Sequence, residues 1–395
     1  MSNILFALYN DFFANSAIQV HNFANELARL GHGVSVAIPT DGNRGALLGE
    51  QRYSVNTYSE VEGNWTRLFN NRRPPDVLHA WTPRENVRLF CEKLRRFCSA
   101  ALIVHLEDNE ERILEANLGA RFERLCHSLP VDFPKHLSHP SNYRAFIASA
   151  SGVTMIIDQL AKFVPASLPQ LIVWPGADPE LFFPRAKDAE FAARIGVAPD
   201  HIVLCYTGNV HAANAREVRS LYVAAAILDR EGIPTTLVRA GRDYCRFLGP
   251  DEQWADKISV NLGDVKHVKV PVVLSLADFL IQPGADDEFN AYRLPAKLPE
   301  FFAMGKPVIL PRTNAGSFVQ HGENAWVLPK VDALGIVEAV RKLRLNDALL
   351  QRLSAGAVAF WEEHFSWRKN TAKLAQFYDI ILGRKKWHAT AVPIS

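Results

Sequence analysis

A chain of 395 residues exceeds the size at which a single hydrophobic core stops growing, so two domains are expected. Apolar residues make up 48% and charged residues 22%, a globular composition that excludes disordered and fibrous classes. Lys plus Arg (44) nearly balances Asp plus Glu (42), and a net charge of +2 argues against a protein that draws its affinity from nucleic-acid phosphates.

The first thirteen residues hold a short apolar run with no basic leader, interrupted by Asn10 and Asp11. They read as a first core strand rather than a signal peptide. No apolar stretch approaches the length that spans a bilayer, so a cytoplasmic chain is expected, with contact at a membrane face left open. The five cysteines, Cys91, Cys98, Cys126, Cys205 and Cys245, form no CxxC pair and no regular spacing. Free thiols in a reducing compartment follow.

Short apolar runs alternate with amphipathic helical stretches, the pattern of a parallel sheet with crossover helices. Strands are expected at 4–8, 34–38, 76–79, 101–105 and 153–157, the last closing the first half. A helix over 18–30 stops at Gly31. Residues 174–184 then carry three prolines and a glycine, the best linker in the chain. The alternation restarts with a strand at 201–206, a helix at 216–229, and strands at 235–239, 258–260, 279–282 and 307–310. The architecture expected is α/β, with two doubly wound parallel sheets of Rossmann type facing a cleft, a favoured place for a ligand.

The most informative stretch runs from Pro283 to Ile309. It leaves a strand, passes a polar loop and enters a helix near Pro295. First-turn amides of such a helix lack internal partners and can hold a diphosphate, and Arg293 and Lys297 add full positive charge there. Glu300, one to two turns in, could accept hydrogen bonds from two ribose hydroxyls. The residues alone also allow a solvated helix start with incidental charges. Asp286, Asp287 and Glu288 lack a His or Cys at ligand spacing and read as a solvated loop rather than a metal site. His211, His267 and His321 are isolated, with core or surface roles expected. The basic residues between Arg67 and Arg96 are diluted by Asp76, Glu85 and Glu92 and read as a solvated face.

The run Arg293-Leu-Pro-Ala-Lys297-Leu-Pro-Glu300, followed by Ala303-Met-Gly-Lys-Pro-Val-Ile309, resembles the donor-site segment of the retaining glycosyltransferases of family four, which have the GT-B fold. Further segments recur in the family's order: Gly31-His32, the segment from Trp174 to Pro184, Tyr206-Thr-Gly208-Asn209, Gly241, and Leu262-Gly-Asp-Val265. Asn314-Ala-Gly316, Gly322-Glu-Asn324 and Phe365-Ser-Trp367 complete the set, which spans nearly the whole chain.

The resemblance implies an acceptor-binding domain over 1–178, a nucleotide-sugar-binding domain over 179–370, and a final helix at about 370–385 returning to the first domain. Glu300 matches the second Glu of the family's E-x7-E motif, which holds the donor ribose. The first Glu, which touches the transferred sugar, falls on Tyr292. A subgroup replaces it with N-x-x-R-x-P-x-K, a spacing matched by Asn290, Arg293, Pro295 and Lys297. Gly208, Asn209 and Val265 fall on donor-side loops. His105 resembles the family histidine that contacts the transferred sugar; on the residues alone a hydrogen-bonded strand-end histidine is the favoured reading. Ala14-Asn15 stands for the Gly-Gly loop after the first strand, where Asn tolerates positive φ, and Asn15 with Ser16 belongs to the acceptor side. Asn209 stands where the family has an Arg, and Arg216 or Arg219 partly replaces a Lys.

The activity implied is transfer from a nucleotide-sugar, a UDP- or GDP-sugar first, to a glycan, lipid-linked or small-molecule acceptor. Anomeric configuration would be retained, with no metal and no cofactor. A nucleotide-sugar epimerase and a catalytically silent binding subunit on the same fold are the alternatives, the second suggested by Tyr292.

Overall fold

The computed structural model describes residues 1–45, 48–127, 130 and 132–385. It divides into two compact units. One comprises Met1–Trp174 with the chain from Trp367 onward, and the other Pro175–Ser366.

The first unit is built on seven parallel strands: β1 (Asn3–Leu8), β2 (Gly33–Ile38), β3 (Ser54–Thr57), β4 (Val77–Trp81), β5 (Ala101–Leu106), β6 (Gly152–Met155) and β7 (Gln170–Ile172). Their order across the sheet is β3-β2-β1-β4-β5-β6-β7. A strand covered by helices on both faces must be apolar throughout rather than alternating, and every residue of β1 and β4 is buried. The helix Asn15–Arg29 lays Val20, Phe23, Ala24 and Leu27 against Ile4, Phe6 and Leu8 of β1. These are the i, i+3, i+4, i+7 positions of one helical face. Leu374, Phe377 and Tyr378 of the helix Trp367–Ile381 enter the same core, and Trp367 meets Phe23 edge-on with ring centres 5.1 Å apart.

The second unit is built on six parallel strands: β8 (Ile202–Thr207), β9 (Thr235–Ala240), β10 (Ser259–Asn261), β11 (Phe279–Ile281), β13 (Val308–Pro311) and β14 (Trp326–Leu328). Their order is β10-β9-β8-β11-β13-β14, and a separate two-stranded antiparallel pair joins β12 (Gly284–Ala285) to β15 (Lys330–Val331). The helix Ala215–Arg230 buries Val218, Leu221, Tyr222, Ala225 and Leu228 in this core. No helix among the described residues is long and apolar enough to cross a membrane. All five cysteines are free.

The central strands fall where the apolar runs place them. The structure adds β3, β7 and β14, so the strand at β6 does not close the first sheet. These three lie at sheet edges and are three or four residues long, and the two-residue strands β12 and β15 were likewise not expected. An edge strand needs no two-faced apolar run, so periodicity does not announce it.

The carboxyl ends of β8 and β9 approach closely enough to require glycine. Gly208 has φ +147° and Gly241 φ +137°, and a Cβ on Gly241 would lie 2.2 Å from the Gly208 carbonyl oxygen. Gly241→Ala should therefore destabilise by ~2 kcal/mol or more, combining backbone strain with overpacking. Gly232→Ala, also at positive φ (+77°) but facing open space, should cost only about 1–2 kcal/mol. Equal shifts in chemical denaturation of the two variants would refute the close approach.

Candidate active site

In open parallel sheets ligands gather where strands end, and the chemistry-bearing residues of the second unit collect at that edge. Lys297 Nζ donates to Tyr206 Oη of β8 (3.2 Å) and to Gln282 Oε1 just beyond β11 (3.3 Å), and it lies 4.4 Å from the centre of the Tyr206 ring. A Cβ on Gly208 would meet Lys297 Cε at 2.8 Å, so glycine there leaves room for the ammonium stem. Arg293 Nη2 donates to Asn290 Oδ1 (2.8 Å) and lies 3.6 Å from Glu217 Oε2, with its guanidinium 3.8 Å above the Phe289 ring. Asn290 is buried and donates from Nδ2 to Glu217 Oε1 (2.8 Å). Burial raises the pKa of Glu217, against the hydrogen bond from Asn290 and the charges of Arg293 and Lys297. Asn314, at φ +47°, reaches the Asn290 carbonyl through Nδ2 (3.4 Å).

The helix after this loop spans Leu298–Ala303, so it begins three residues later than expected and has six residues. Pro299 explains the difference: proline is tolerated only in the first turn, so a helix starting near Pro295 would carry it in its interior. Lys297 is the residue preceding the helix, and Arg293 lies in the turn before it. So short a helix makes the two cations, rather than a row of amides, the main attraction for an anion. Glu300 stands in the first turn, not further in. Its Oε1 pairs with Nε2 of His267 at 2.9 Å, and His267 packs its ring against Phe182. His267 is therefore not isolated, a pairing that 33 residues of separation conceal in the sequence.

The loops after β8, β9 and β10 are tied together. Gly208 N donates to the Ala240 carbonyl (2.8 Å) and Gly241 N to that of Gly263 (2.7 Å). Asn209 uses its side-chain oxygen to accept from Arg242 N (2.9 Å), so it holds the loop as well as lining it. Val265 follows on the third loop, half exposed. Arg216 is exposed, and Arg219 is engaged with Glu252 (Nε to Oε2, 3.2 Å), so neither joins the Lys297 cluster. The carboxylate that does join it, Glu217, went unread. Its signal is its place in the first turn of the helix that follows β8. Asp287 Oδ1 accepts from the amides of Phe289 (3.1 Å) and Asn290 (2.9 Å), the work of a turn residue. Among the described residues no group of three metal-binding side chains forms.

In the first unit, His105 lies on β5 opposite Trp81 of β4, fully buried. The two rings stack with centres 3.9 Å apart. His105 Nδ1 is 2.9 Å from Thr154 Oγ1 of β6, and Nε2 is buried with no hydrogen-bond partner among the described residues. Burial drives its pKa well below the ordinary histidine value, helped by His79, so the ring is neutral. Trp81 Nε1 donates to Glu107 Oε1 (2.8 Å), which also accepts from Gln19 Nε2 (3.0 Å), while Ser16 Oγ donates to Glu107 Oε2. Thr82, next to Trp81, holds φ +81° and donates its amide to the His105 carbonyl (3.1 Å). A β-branched residue in that region is strained, and such strain gathers at functional sites.

The turn before Asn15 does not use positive φ. Ala14 is extended (φ −77°, ψ 146°), and Asn15 is the first residue of the helix. Asp11 builds the turn instead, accepting from Phe13 N (3.0 Å) at its side chain and from Ala14 N (3.2 Å) at its carbonyl. An Asx turn of this kind replaces the conformational freedom of glycine. Ser16 thus reaches the cluster through Glu107, while Asn15 serves the helix start.

The paired parallel sheets give the chain the GT-B fold. The solved structure of Anabaena HepE in complex with UDP and glucose superposes with a TM-score of 0.69 at 14% identity, over 95% of this chain and 99% of that one. Sucrose-phosphate synthase from Thermosynechococcus elongatus superposes with a TM-score of 0.68 at 15% identity, over 98% and 100%. Within the second unit, residues 201–346 match the family described as glycosyl transferases group 1. That segment contains Glu217, Asn290, Arg293, Lys297 and Glu300. D-inositol 3-phosphate glycosyltransferase of Streptomyces bingchenggensis is 27% identical over 238 residues, 56% of this chain and 50% of that protein. The chain spans about half the length of the curated relatives it matches.

The His267–Glu300 contact carries a pH dependence. Glu300 raises the pKa of His267, so the pair's stabilisation is complete below the ordinary histidine pKa and fades as pH rises through the raised value. For a pair this exposed it amounts to less than ~1 kcal/mol. The difference in unfolding free energy between wild type and His267→Gln should therefore shrink between about pH 6 and pH 9. A difference independent of pH would show that no charged pair forms.

Proposed function

We propose that the chain is a glycosyltransferase that moves a sugar from a nucleotide-sugar, a UDP- or GDP-sugar, to a glycan, lipid-linked or small-molecule acceptor. The observation that carries this reading is the convergence of Arg293, Lys297, Asn290 and Glu217 on one sheet edge, inside the segment that matches the glycosyl transferase family. The second unit would hold the donor. Lys297 and Arg293 face its diphosphate, Glu300 accepts from the ribose hydroxyls, and the loops bearing Gly208, Asn209 and Val265 border the base. The first unit would supply the acceptor surface, with Ser16, and His105 as a neutral donor to the transferred sugar.

In this mechanism the glycosidic bond to phosphate breaks with its electron pair leaving on the diphosphate. Two fixed cations stabilise that anion, the electrostatic contribution that usually dominates such reactions. The acceptor oxygen forms the new bond and its proton passes to the departing diphosphate oxygen, and the configuration of the sugar is retained without a metal. The reaction would take place in the cytoplasm, at the inner membrane face if the acceptor is lipid-linked. HepE, whose structure holds UDP and glucose, supports the nucleotide-sugar class of donor.

Calorimetric titration with UDP and GDP tests the donor site. Glu300→Gln should weaken binding by about 1.5–3 kcal/mol, the range for a hydrogen bond to a charged group. Arg293→Ala and Lys297→Ala should weaken the nucleoside diphosphate more than the nucleoside. Unchanged affinity in all three variants would move the donor site elsewhere. His105→Ala should lower single-turnover transfer by roughly 10²-fold or more with nucleotide affinity intact, on the scale of losing one positioned polar group. A well-folded variant with an unchanged rate would remove His105 from the mechanism.

A further inference from the structure

His105 ends a chain of hydrogen bonds that starts on the C-terminal helix. Tyr378 Oη lies 2.8 Å from His79 Nδ1, His79 Nε2 lies 2.9 Å from Thr154 Oγ1, and the same Thr154 oxygen lies 2.9 Å from His105 Nδ1. All four side chains are fully buried. Burial holds Tyr378 protonated and pushes His79 down to about 3, so both histidines are neutral and each carries one ring proton.

Four neutral groups in series permit two continuous directions of donation. In the first, Tyr378 donates to His79 Nδ1, His79 Nε2–H donates to Thr154, and the Thr154 hydroxyl donates to His105 Nδ1, leaving the His105 proton on Nε2. In the reverse direction His105 Nδ1–H donates to Thr154, Thr154 donates to His79 Nε2, and His79 Nδ1–H donates to the Tyr378 oxygen. The Tyr378 hydroxyl proton then has no acceptor, because His79 is the phenol's hydrogen-bond partner, and His105 Nε2 becomes a bare buried acceptor. The reverse direction leaves two buried groups unsatisfied. A third arrangement, in which both histidines donate to Thr154, leaves the Thr154 hydroxyl proton and His105 Nε2 unsatisfied and is costly for the same reason. The first leaves only the His105 Nε2–H, which a ligand oxygen can satisfy. A buried donor without an acceptor is costly, so the phenol sets the direction of the whole chain.

We propose that Tyr378, acting through His79 and Thr154, is a positioning residue that fixes His105 as its Nε2–H tautomer, presenting a hydrogen-bond donor at the carboxyl edge of β5. Trp81 supplies the second constraint by stacking on the ring, and its own orientation is set by Glu107. The role of His105 in transfer rests on the glycosyltransferase reading; the tautomer does not.

Ring-nitrogen NMR of the full-length protein labelled with 15N-histidine tests this without turnover. In the wild type, His105 Nε2 should resonate as a protonated nitrogen and Nδ1 as an unprotonated one. Tyr378→Phe and Thr154→Val should each shift both His105 nitrogens toward averaged values, and Thr154→Ser, which keeps the hydroxyl, should restore the wild-type pattern. In transfer assays Tyr378→Phe should lower kcat by roughly 10-fold, the scale on which outer-shell partners act, with the donor KM unchanged. A wild-type His105 protonated on Nδ1 would overturn the proposal, as would a tautomer unmoved in folded Tyr378→Phe. The wild-type spectrum decides the first point even if both variants fail to fold. The expected tautomer in a protein that transfers no sugar would overturn the functional reading and leave the chain of hydrogen bonds standing.

Discussion

The half-buried carboxylate of Glu217 governs the second unit's site, because two cations placed at one sheet edge need an anion to hold them. Asn290 and Arg293 both turn their polar atoms to it, and Lys297 is drawn toward the same edge by Tyr206 and Gln282. The arrangement holds Arg293 and Lys297 oriented before any ligand arrives. Preorganised charge needs no reorganisation when an anion departs, which gives it leverage on a leaving diphosphate. Under the proposed function a diphosphate would compete with Glu217 for Arg293, so affinity would reflect the difference between two charge-assisted contacts rather than one.

The first unit shows a different strategy. Its carboxyl edge holds polar groups in a fixed arrangement: the neutral ring of His105 stacked on Trp81, Trp81 held by Glu107, and Glu107 receiving Ser16 and Gln19. Burial raises the pKa of Glu107, opposed by the hydrogen bonds from Ser16 and Trp81 and by the charge of Arg84. Orientation, not charge, is what this edge offers a ligand. The helix Trp367–Ile381 contributes Tyr378 to the same buried network, so the last helix among the described residues reaches strands formed from the first half of the chain.

The two-sheet architecture was legible because buried parallel strands are continuous apolar runs, as in Ile4–Leu8 and Leu204–Tyr206. Edge strands β3 and β7 carry no continuous buried run, and β14, although Trp326 and Val327 are buried, is only three residues long. The segment from Asn290 to Glu300 was legible as a candidate site because proline, arginine and lysine recur there at a spacing that resembles a family's. Its helix start was misplaced because the constraint came from Pro299 rather than Pro295. Glu217 and His267 were not legible. Each joins the site only through folding, 73 residues from Asn290 and 33 from Glu300. The positive φ expected at Ala14-Asn15 was not needed, because Asp11 makes the turn by side-chain hydrogen bonding.

The proposed reaction breaks the bond between a sugar and a nucleoside diphosphate. Many transferases do so slowly to water when no acceptor is present, so the acceptor need not be known. The most direct measurement is release of nucleoside diphosphate from a panel of UDP- and GDP-sugars incubated with the purified chain. Slow release is expected from at least one donor, abolished in Lys297→Ala. A chain that binds nucleotide-sugars but releases nothing from any of them, alone or with a pool of glycan and lipid-linked acceptors, would contradict it and leave a binding subunit in which Tyr292 has replaced a catalytic contact.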